Sequence, residues 1–524
     1  MKKKIQSLST YIKAHPKIDL IILGFGLAIF IAITLANVSR ASIWFDEAFS
    51  AYIVQFSFWD IARYTATDVH PPFYYWLLKI WSSMFGTTEL AYRSLSILFG
   101  AGAISSAFFL TRKLFGRKTA WVSLLFLAIS PMLIRYSDEA RMYTLASLIV
   151  LSATYVLLRA KETQKKSTWI WYGVLVSLGM WTHYFTALAW LAHWAWWATE
   201  KYRKNMKIKE FMAAFFTREW LIAYGVAVGL FLPWLPFMAL QLGVVQGGGF
   251  WIGQVGVDTP ANYITNFFYY LEHDQVHSWY ALALIVVVVI AVVLTPRTYN
   301  ALAATQKKSF ILVASLAFVP PVLLFFASLP PLRSSFVERY LIPSVVALSI
   351  YFAIVFVVGT QKWKLVWRAV PVVLVCAMMI VGITNVFTYG NFNKNSNTHI
   401  LTRQVIEEVH KNATPGVPII ASSPWIFYEA APYATKEHPV YFIEKDTNYI
   451  FGSLDMLKDN DRHKINDLDA FAKENPVIWY LGNTTADDVT PSQDSWQKVK
   501  TVNIQDSITG NTIYKATKYI ISAE

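Results

Sequence analysis

The sequence predicts a polytopic α-helical membrane protein that ends in a small α/β soluble domain. Of its 524 residues, 55% are hydrophobic and 15% are charged, whereas soluble domains carry about 25% charged residues. Many apolar runs approach the roughly 20 residues that a bilayer core requires. After residue 390 the apolar runs shorten to strand length, and Asn, Lys and Asp become more frequent. The single cysteine, Cys376, lies inside an apolar run, which excludes a disulfide framework.

The apolar runs predict about eleven transmembrane helices. The first run, Ile18–Ala36, is too long for a signal peptide and lacks a clear cleavage site, so we interpret it as a retained anchor. The spans 168–183, 185–199 and 279–295 are short and are also compatible with merged or shifted helices. The predicted spans are 18–38, 89–111, 118–134, 140–158, 168–183, 185–199, 219–240, 279–295, 309–328, 340–358 and 369–388.

Basic residues alternate between loops, and this alternation predicts the orientation in the membrane. The N-terminus and every second loop carry an excess of Lys and Arg, which is typical of cytoplasmic loops. With an odd number of spans, the N-terminus is cytoplasmic and the C-terminal domain extracytoplasmic, so we expect a multi-pass protein of the cytoplasmic membrane. The formal charge of +13 lies mostly in these short loops, which argues against nucleic acid as a partner.

Secondary structure is also predicted outside the spans, in the first outer loop and in the C-terminal region. The first outer loop contains apolar, aromatic stretches at helical spacing, Ala48–Phe58 and Phe73–Phe85, which predict helices in the membrane interface. The predicted domains are a transmembrane catalytic domain, 1–389, and an extracytoplasmic α/β domain, 390–524, where strands alternate with amphipathic helices. The candidate strands are Val417–Ser422, Val440–Ile443, Val477–Leu481, Lys498–Ile504 and Thr512–Ile520.

Five polar motifs fall on the predicted outer side. Acids at a membrane interface are costly and are therefore functional candidates, although Asp46 could instead cap a helix. The arginines could be interfacial anchors, and the histidines could be ordinary structural residues. The motifs are Asp46-Glu47, Asp68–Trp76 with His70, Arg135–Tyr143, His183-Tyr184 and Arg333–Pro343.

A single polar cavity that opens outward would explain all five motifs together. Arginine suits phosphate because it donates two parallel hydrogen bonds, and Arg339 with Tyr340 lies where a lipid phosphate would be placed. Carboxylates beside such cations suit a reaction in which a base activates an acceptor and cations stabilise a departing phosphate. No GxGxxG or P-loop motif is present, so nothing in the sequence predicts nucleotide binding.

In order and topology the motifs resemble those of the GT-C glycosyltransferases, in particular the bacterial relatives of protein O-mannosyltransferases and of the aminoarabinose transferase of lipid A. The resemblance covers about residues 1–360. It implies a sugar donor on polyprenyl phosphate, delivered from the membrane lipid, and transfer with inversion to a protein, lipid or cell-wall glycan. The sequence features that carry it are Asp46-Glu47, His70-Pro71-Pro72, Glu139–Tyr143 and Arg339-Tyr340.

The resemblance also implies roles for individual residues. Asp46 would be the general base, and Glu47 would orient the acceptor or support Asp46. Asp138 and Glu139 match the second acidic motif, which binds a metal in some members of the family. The residues that would hold the carrier phosphate are His70, Arg141, Arg339 and Tyr340. Further candidates for the site are Tyr143, His183 and Arg333. A divalent cation is a candidate cofactor, and its ligands would be Asp46, Asp138, Glu139 and His183.

Two other functions remain open on the sequence. A transporter or flippase of lipid-linked glycans would share the many spans, although the inverted repeats and broken helices frequent in transporters are not evident. A non-catalytic envelope scaffold would use the C-terminal domain to bind a partner, but it would leave the charged motifs without a role. Release of free polyprenyl phosphate would identify an enzyme, because transport leaves the sugar–phosphate bond intact.

Overall fold

The structure is a computed structural model that describes residues 17–247, 252–271, 278–390, 392–393, 398–443, 456–457, 462–483 and 496–521. Each predicted span coincides with at least one helix. The helices before residue 390 are α1 (Lys17–Val38), α2 (Phe45–Ile53), α3 (Phe58–Ala66), α4 (Phe73–Phe85), α5 (Glu89–Phe115), α6 (Arg117–Ala128), α7 (Pro131–Ser137), α8 (Tyr143–Thr163), α9 (Lys166–Thr182), α10 (Thr186–Lys201), α11 (Ile208–Phe215), α12 (Arg218–Phe231), α13 (Leu235–Gly247), α14 (Thr259–Tyr269), α15 (Ser278–Ala301), α16 (Ala304–Ala327), α17 (Ile342–Gly359) and α18 (Leu365–Tyr389).

The described helices confirm the polytopic helical class. Among the described residues, eight helical stretches are long and apolar enough to cross a membrane, with α12 and α13 counted together as one, and a ninth span results if the bent pair α6–α7 is counted as one. Two further predicted spans correspond to α9 and α10, which have 17 and 16 residues and fall short of the roughly 20 that a bilayer core needs. The total of eleven spans therefore stays a prediction.

The loop between α1 and α5 contains three short helices. The predicted helix Phe73–Phe85 is observed as α4. The prediction of one helix over Ala48–Phe58 is wrong in its bounds, because α2 begins at Phe45 and ends at Ile53 and α3 begins at Phe58. The side chain of Ser57 accepts a hydrogen bond from the Asp60 N–H, and this cap starts a new helix inside the apolar run. Asp46 is not a cap, since Trp44 occupies the N-cap position of α2.

Helix α17 is a rigid support for the Arg339 segment. It packs against α6, α15 and α16. In its apolar stretch 83% of the residues are buried, a larger share than in any other candidate span. A proline lies in its first turn, where the missing N–H costs nothing. A 3₁₀ helix, Glu338–Leu341, leads directly into α17. Arg339 and Tyr340 are therefore attached to the most buried of the candidate spans.

After residue 390 the described chain forms a six-stranded sheet in the order β5-β4-β3-β6-β8-β7, which confirms the predicted small α/β domain. Strands β3 to β6 pair in parallel, whereas β7 and β8 pair antiparallel. All five predicted strands are present with small differences at their ends. The elements are β1 (Phe392–Asn393), β2 (Thr398–His399), α19 (Thr402–Asn412), β3 (Ile419–Ala421), α20 (Pro424–Ala430), β4 (Val440–Ile443), β5 (Lys464–Ile465), α21 (Leu468–Glu474), β6 (Val477–Asn483), β7 (Trp496–Gln505) and β8 (Thr512–Ile521).

A buried acid in α20 predicts a pH dependence of stability. Burial raises the pKa of Glu429 to about 7, although hydrogen bonds from Tyr514 and Thr402 act in the opposite direction. Because the folded state holds this proton more tightly than the unfolded chain does, Glu429 lowers stability as the pH rises from about 4.5 to about 7. We therefore expect Glu429→Gln to gain thermal stability relative to the wild type between pH 5 and pH 8. Parallel melting curves of both proteins with the same pH dependence would contradict this assignment.

Candidate active site

Residues from five separate parts of the chain meet at the end of the bundle that carries the C-terminal domain. They lie in the first turn of α2, the loop before α4, the turn between α7 and α8, the end of α9 and the 3₁₀ helix before α17. Hydrogen bonds, one ion pair and ring contacts connect these parts. The structure thus places most of the predicted site residues in one cluster.

Arg141 connects three segments of the cluster. Its guanidinium donates hydrogen bonds to the Tyr75 hydroxyl at 2.9 Å and to the backbone carbonyl of Asp46 at 3.3 Å. Its Nη2 lies 3.4 Å from His70 Nδ1. Arg141 is only 3% exposed, and a guanidinium so deeply buried needs several polar partners to offset the loss of water. These partners tie the start of α2 to α4 and to the loop before it.

Asp46 and Arg339 form an ion pair within the cluster. Arg339 Nη2 lies 3.5 Å from Asp46 Oδ2, and the guanidinium also lies over the rings of Trp44 and Tyr143, 5.5 and 6.0 Å from their centroids. Asp46 lies in the first turn of α2, where the helix dipole favours a carboxylate. The pair therefore links α2 to the segment in front of α17.

Asp46 is the most accessible acid of the cluster. Its side chain is 22% exposed, whereas the other acids are at most 9% exposed. A general base must reach the proton that it abstracts. Among these carboxylates, Asp46 therefore has the access that the predicted role requires. The less exposed acids are Glu47, Asp68, Asp138 and Glu139.

His70 lies beside Arg141 as a neutral group. Burial, reinforced by the charge of Arg141, holds the pKa of His70 well below its ordinary value. Asp68 Oδ2 lies 3.5 Å from His70 Nδ1, and burial raises the pKa of Asp68 to about 6 although Arg141 lowers it. At neutral pH the positive charge of the cluster is therefore carried by Arg141 and Arg339, and His70 can contribute only a neutral hydrogen bond.

An aromatic group borders the two arginines. The rings of His183 and Tyr340 are 4.8 Å apart, and Phe185 stacks on Tyr340 at 4.7 Å. Tyr143 lies 5.8 Å from the ring of His183. These contacts connect the end of α9 with the Arg339 segment, so the predicted candidates Tyr143, His183 and Tyr340 lie together.

Glu47 has its hydrogen bonds inside the protein. Arg93 binds both of its carboxylate oxygens, at 2.8 and 2.6 Å, and the Ala140 N–H donates to Oε1 at 2.9 Å. Arg93 also donates to the carbonyls of Val38, Ala41 and Ser42. These contacts favour a supporting role for Glu47 over direct contact with an acceptor. Arg93 was not predicted as a site residue, although a charge inside the predicted span 89–111 was an available signal.

The second acidic motif is deeply buried. Asn37 donates to Asp138 at 2.7 Å, and Arg135 pairs with Glu139 at 2.9 Å. Burial raises the pKa of Asp138 to about 7, with Arg93 acting in the opposite direction. Burial also raises the pKa of Glu139, whereas Arg135 and Arg339 lower it.

The candidate cation ligands do not fit a metal site in this arrangement. In the part of the chain that the structure describes, no three His, Cys, Asp or Glu side chains converge as metal ligands. Asn37 and Arg135 engage one oxygen each of Asp138 and Glu139, whereas Asp138 Oδ1, Glu139 Oε1 and His183 Nε2 are buried without a hydrogen-bond partner. Arg333, the remaining candidate, is exposed, and the structure does not bring it into the cluster.

In comparisons with known proteins, a family model matches part of this chain and solved structures share its fold. Residues 69–237 match the family model of dolichyl-phosphate-mannose-protein mannosyltransferases. This range includes His70, Arg141 and His183 but neither Asp46 nor Arg339. No curated protein sequence matches the chain.

Two crystal structures of ArnT from Cupriavidus metallidurans are similar to the whole chain. The apo state has 14% sequence identity and a TM-score of 0.58, and the similarity covers 95% of this chain and 97% of that chain. The structure bound to undecaprenyl phosphate has 13% identity and a TM-score of 0.56 with the same coverage. Identities this low show the fold alone. The resemblance predicted from the motifs is confirmed at that level, and this chain has the GT-C glycosyltransferase fold with relatives of the protein mannosyltransferase type.

Proposed function

We propose that this protein is an integral-membrane glycosyltransferase that transfers a sugar from a polyprenyl-phosphate donor to an acceptor on the extracytoplasmic side. Asp46 is the general base of this reaction. The observation that carries the proposal is the pairing of the most accessible acid of the cluster, Asp46, with a buried arginine, Arg339, at 3.5 Å. Arg141, a second buried arginine, holds the backbone carbonyl of Asp46. A proton acceptor thus lies beside two fixed cations, as the reaction requires.

The chemical step is a single displacement. Asp46 removes the proton from the acceptor hydroxyl or amine, and the acceptor atom forms a bond to the anomeric carbon of the donor sugar. The bond between that carbon and the phosphate oxygen breaks with inversion, and polyprenyl phosphate leaves. Arg141 and Arg339 stabilise the charge on the departing phosphate, because preorganised cations in a water-poor site act more strongly than they do in water.

Other residues of the cluster position these three groups. Glu47 holds α2 through Arg93 and the backbone of Ala140, and we assign it the support of Asp46. His70 and Tyr340 supply neutral hydrogen bonds to the donor phosphate. Asn37 and Arg135 each engage one oxygen of Asp138 and Glu139, and we assign neither acid a step in the reaction.

The similar proteins and the fold support the donor class. The matching family model describes dolichyl-phosphate-mannose-protein mannosyltransferases, and ArnT has been crystallised with undecaprenyl phosphate. Dolichyl phosphate and undecaprenyl phosphate are both polyprenyl phosphates. The basic loops at the opposite end of the predicted spans support the extracytoplasmic side. The acceptor is a protein, a lipid or a cell-wall glycan.

Mass analysis of envelope glycans and lipids tests the proposed activity. Cells that lack this protein should lose one glycosylated envelope component, and the wild-type protein should restore it. The Asp46→Asn variant, expressed at the same level, should fail to restore it. Identical glycan and lipid profiles in all three strains would contradict the proposed function.

Arg339→Ala should chiefly weaken the use of the donor. A charge-assisted hydrogen bond contributes about 1.5–3 kcal/mol, so we expect the KM for donor lipid to rise between about tenfold and a hundredfold. Arg333→Ala is the matched control, because Arg333 is an exposed arginine six residues earlier in the same segment. An unchanged dependence on donor concentration in Arg339→Ala would remove this residue from donor binding.

A further inference from the structure

The loop that carries Asp46 into the site is held from two sides. Residues 39–44 connect α1 to α2 without helix or strand, so their backbone polar groups need partners elsewhere. From the bundle, Arg93 binds the carbonyls of Ala41 and Ser42. The other side of the loop is bound by residues that lie more than 340 positions later in the sequence.

These distant partners belong to the C-terminal domain. The Ile43 N–H donates to the Tyr433 hydroxyl at 2.7 Å, and Arg403 donates to the Ser39 carbonyl at 2.8 Å. The Arg403 N–H also donates to the Ser42 hydroxyl at 3.1 Å. The soluble domain therefore binds the loop through a backbone N–H, a backbone carbonyl and a side chain.

Glu89 joins the two domain residues to the bundle. It accepts hydrogen bonds from the Tyr433 hydroxyl and from Arg403, the latter at 2.5 Å. Glu89 lies in the first turn of α5, where the helix dipole favours a carboxylate. Its side chain is 13% exposed and that of Arg403 is 22% exposed, so solvent screens this pair less than a surface pair.

Aromatic packing extends the contact between the C-terminal domain and the loop to the first turn of α2, which carries Asp46. Phe45, the residue before Asp46, stacks on Trp425 of α20 with ring centroids 3.6 Å apart and planes at 11°. Tyr428 of the same helix contacts the rings of Phe45, Phe49 and Tyr52. One face of α2 thus rests on the C-terminal domain, while its first turn presents Asp46 to Arg339.

We infer that Tyr433 and Arg403, acting through Glu89 and the loop 39–44, are positioning residues for Asp46. The C-terminal domain is then part of the active-site scaffold. Neither residue touches the reacting groups in this assignment. They fix the distance between the carboxylate and the arginines, and small displacements of a catalytic group cost large factors in rate. The effect on turnover rests on the proposed function, whereas the effect on the loop does not.

Tyr433→Phe tests the inference, because it removes a single hydroxyl. We expect hydrogen exchange at the Ile43 amide and in the loop to accelerate about tenfold. We expect kcat to fall about tenfold, while the KM for donor changes less than about twofold. In an Asp46→Asn background, the same substitution should lower the residual rate by less than about twofold, since residues that act as a unit are not additive.

Tyr514→Phe is the matched control. Tyr514 donates its hydroxyl to Glu429 at 3.0 Å and accepts from Thr402 at 3.1 Å within the same domain, so the substitution likewise removes a buried hydroxyl with two partners but makes no change in the loop. It should leave both loop exchange and kcat near the wild-type values. Equal effects of the two substitutions, or unchanged loop exchange in Tyr433→Phe, would overturn the inference. If the wild-type protein transfers no sugar, the proposed function fails and the exchange measurement alone decides the positioning role.

Discussion

Replacing Asp46 with asparagine should lower turnover at least about 100-fold, the usual scale for the loss of general-base help. Asparagine has the same shape but cannot accept the acceptor's proton at neutral pH. The fold should persist, because the backbone carbonyl of residue 46 still accepts hydrogen bonds from Arg141 and Ser50, and the asparagine side-chain oxygen can still accept one from Arg339. The rate of polyprenyl phosphate release in proteoliposomes measures the effect.

Asp60→Asn is the matched control for this experiment. Asp60 lies in the same loop region, in the first turn of α3, and pairs with Arg63 at the surface. Its conversion to asparagine makes the same chemical change outside the cluster and should leave turnover close to that of the wild type. Near wild-type turnover in Asp46→Asn would exclude Asp46 as the base and leave the proposed mechanism without a proton acceptor.

Replacing Arg93 with methionine should destabilise the protein by about 3–5 kcal/mol, the usual cost of leaving one partner of a buried ion pair uncompensated. Both side chains of the Arg93–Glu47 pair are 2% exposed. The substitution also removes the hydrogen bonds that Arg93 donates to the carbonyls of Val38, Ala41 and Ser42. Unfolding in mixed detergent micelles with increasing SDS measures the loss in free energy of unfolding.

Two further variants distinguish the cost of leaving Glu47 buried and unpaired from the general cost of replacing an arginine of the bundle. Arg93→Met combined with Glu47→Gln should recover part of the stability, because glutamine is neutral and can still accept from the Ala140 N–H. Arg112→Met should cost less than Arg93→Met, since Arg112 shares the buried Asp19 with Arg117, each at 2.7 Å. A single Arg93→Met variant that unfolds like the wild type would show that the pair does not support this part of the fold.

The helical spans could be predicted because the bilayer imposes a strong local rule. An apolar run of sufficient length must form a helix in the membrane, since its backbone groups have no other partners there. The observed helices α1, α5 and α18 agree with the predicted spans to within a few residues. The boundary between α2 and α3 was missed, because a cap by Ser57 interrupts a run that is apolar on both sides.

Candidate site residues could be predicted because charged side chains at the membrane interface carry a desolvation cost. Asp46, Arg141 and Arg339 lie at the predicted membrane interface, and the structure brings them together. Local chemistry alone did not predict the different roles of Asp46 and Glu47, which came only from the family resemblance. Both acids have the same local setting, and only the contacts of Glu47 with Arg93 and Ala140 distinguish them.

No pattern in the sequence predicted the contacts between the loop 39–44 and the C-terminal domain. Tyr433 and Arg403 occur in ordinary amphipathic surroundings, hundreds of residues from the loop that they bind. Nothing in their spacing identifies Glu89 as a shared partner. Such pairings depend on the packing of α20 against α2, which no local pattern encodes.

The sequence by itself determined the class of this protein, its apolar spans, five strands of its small α/β domain and the list of costly polar groups. These features follow from local chemistry, namely hydrophobicity, charge alternation and periodicity. Only the tertiary structure decided which acid is accessible, which arginine neutralises which carboxylate and which domain holds the loop before Asp46. Burial and partner choice are properties of packed distant segments, and they separate otherwise equivalent side chains.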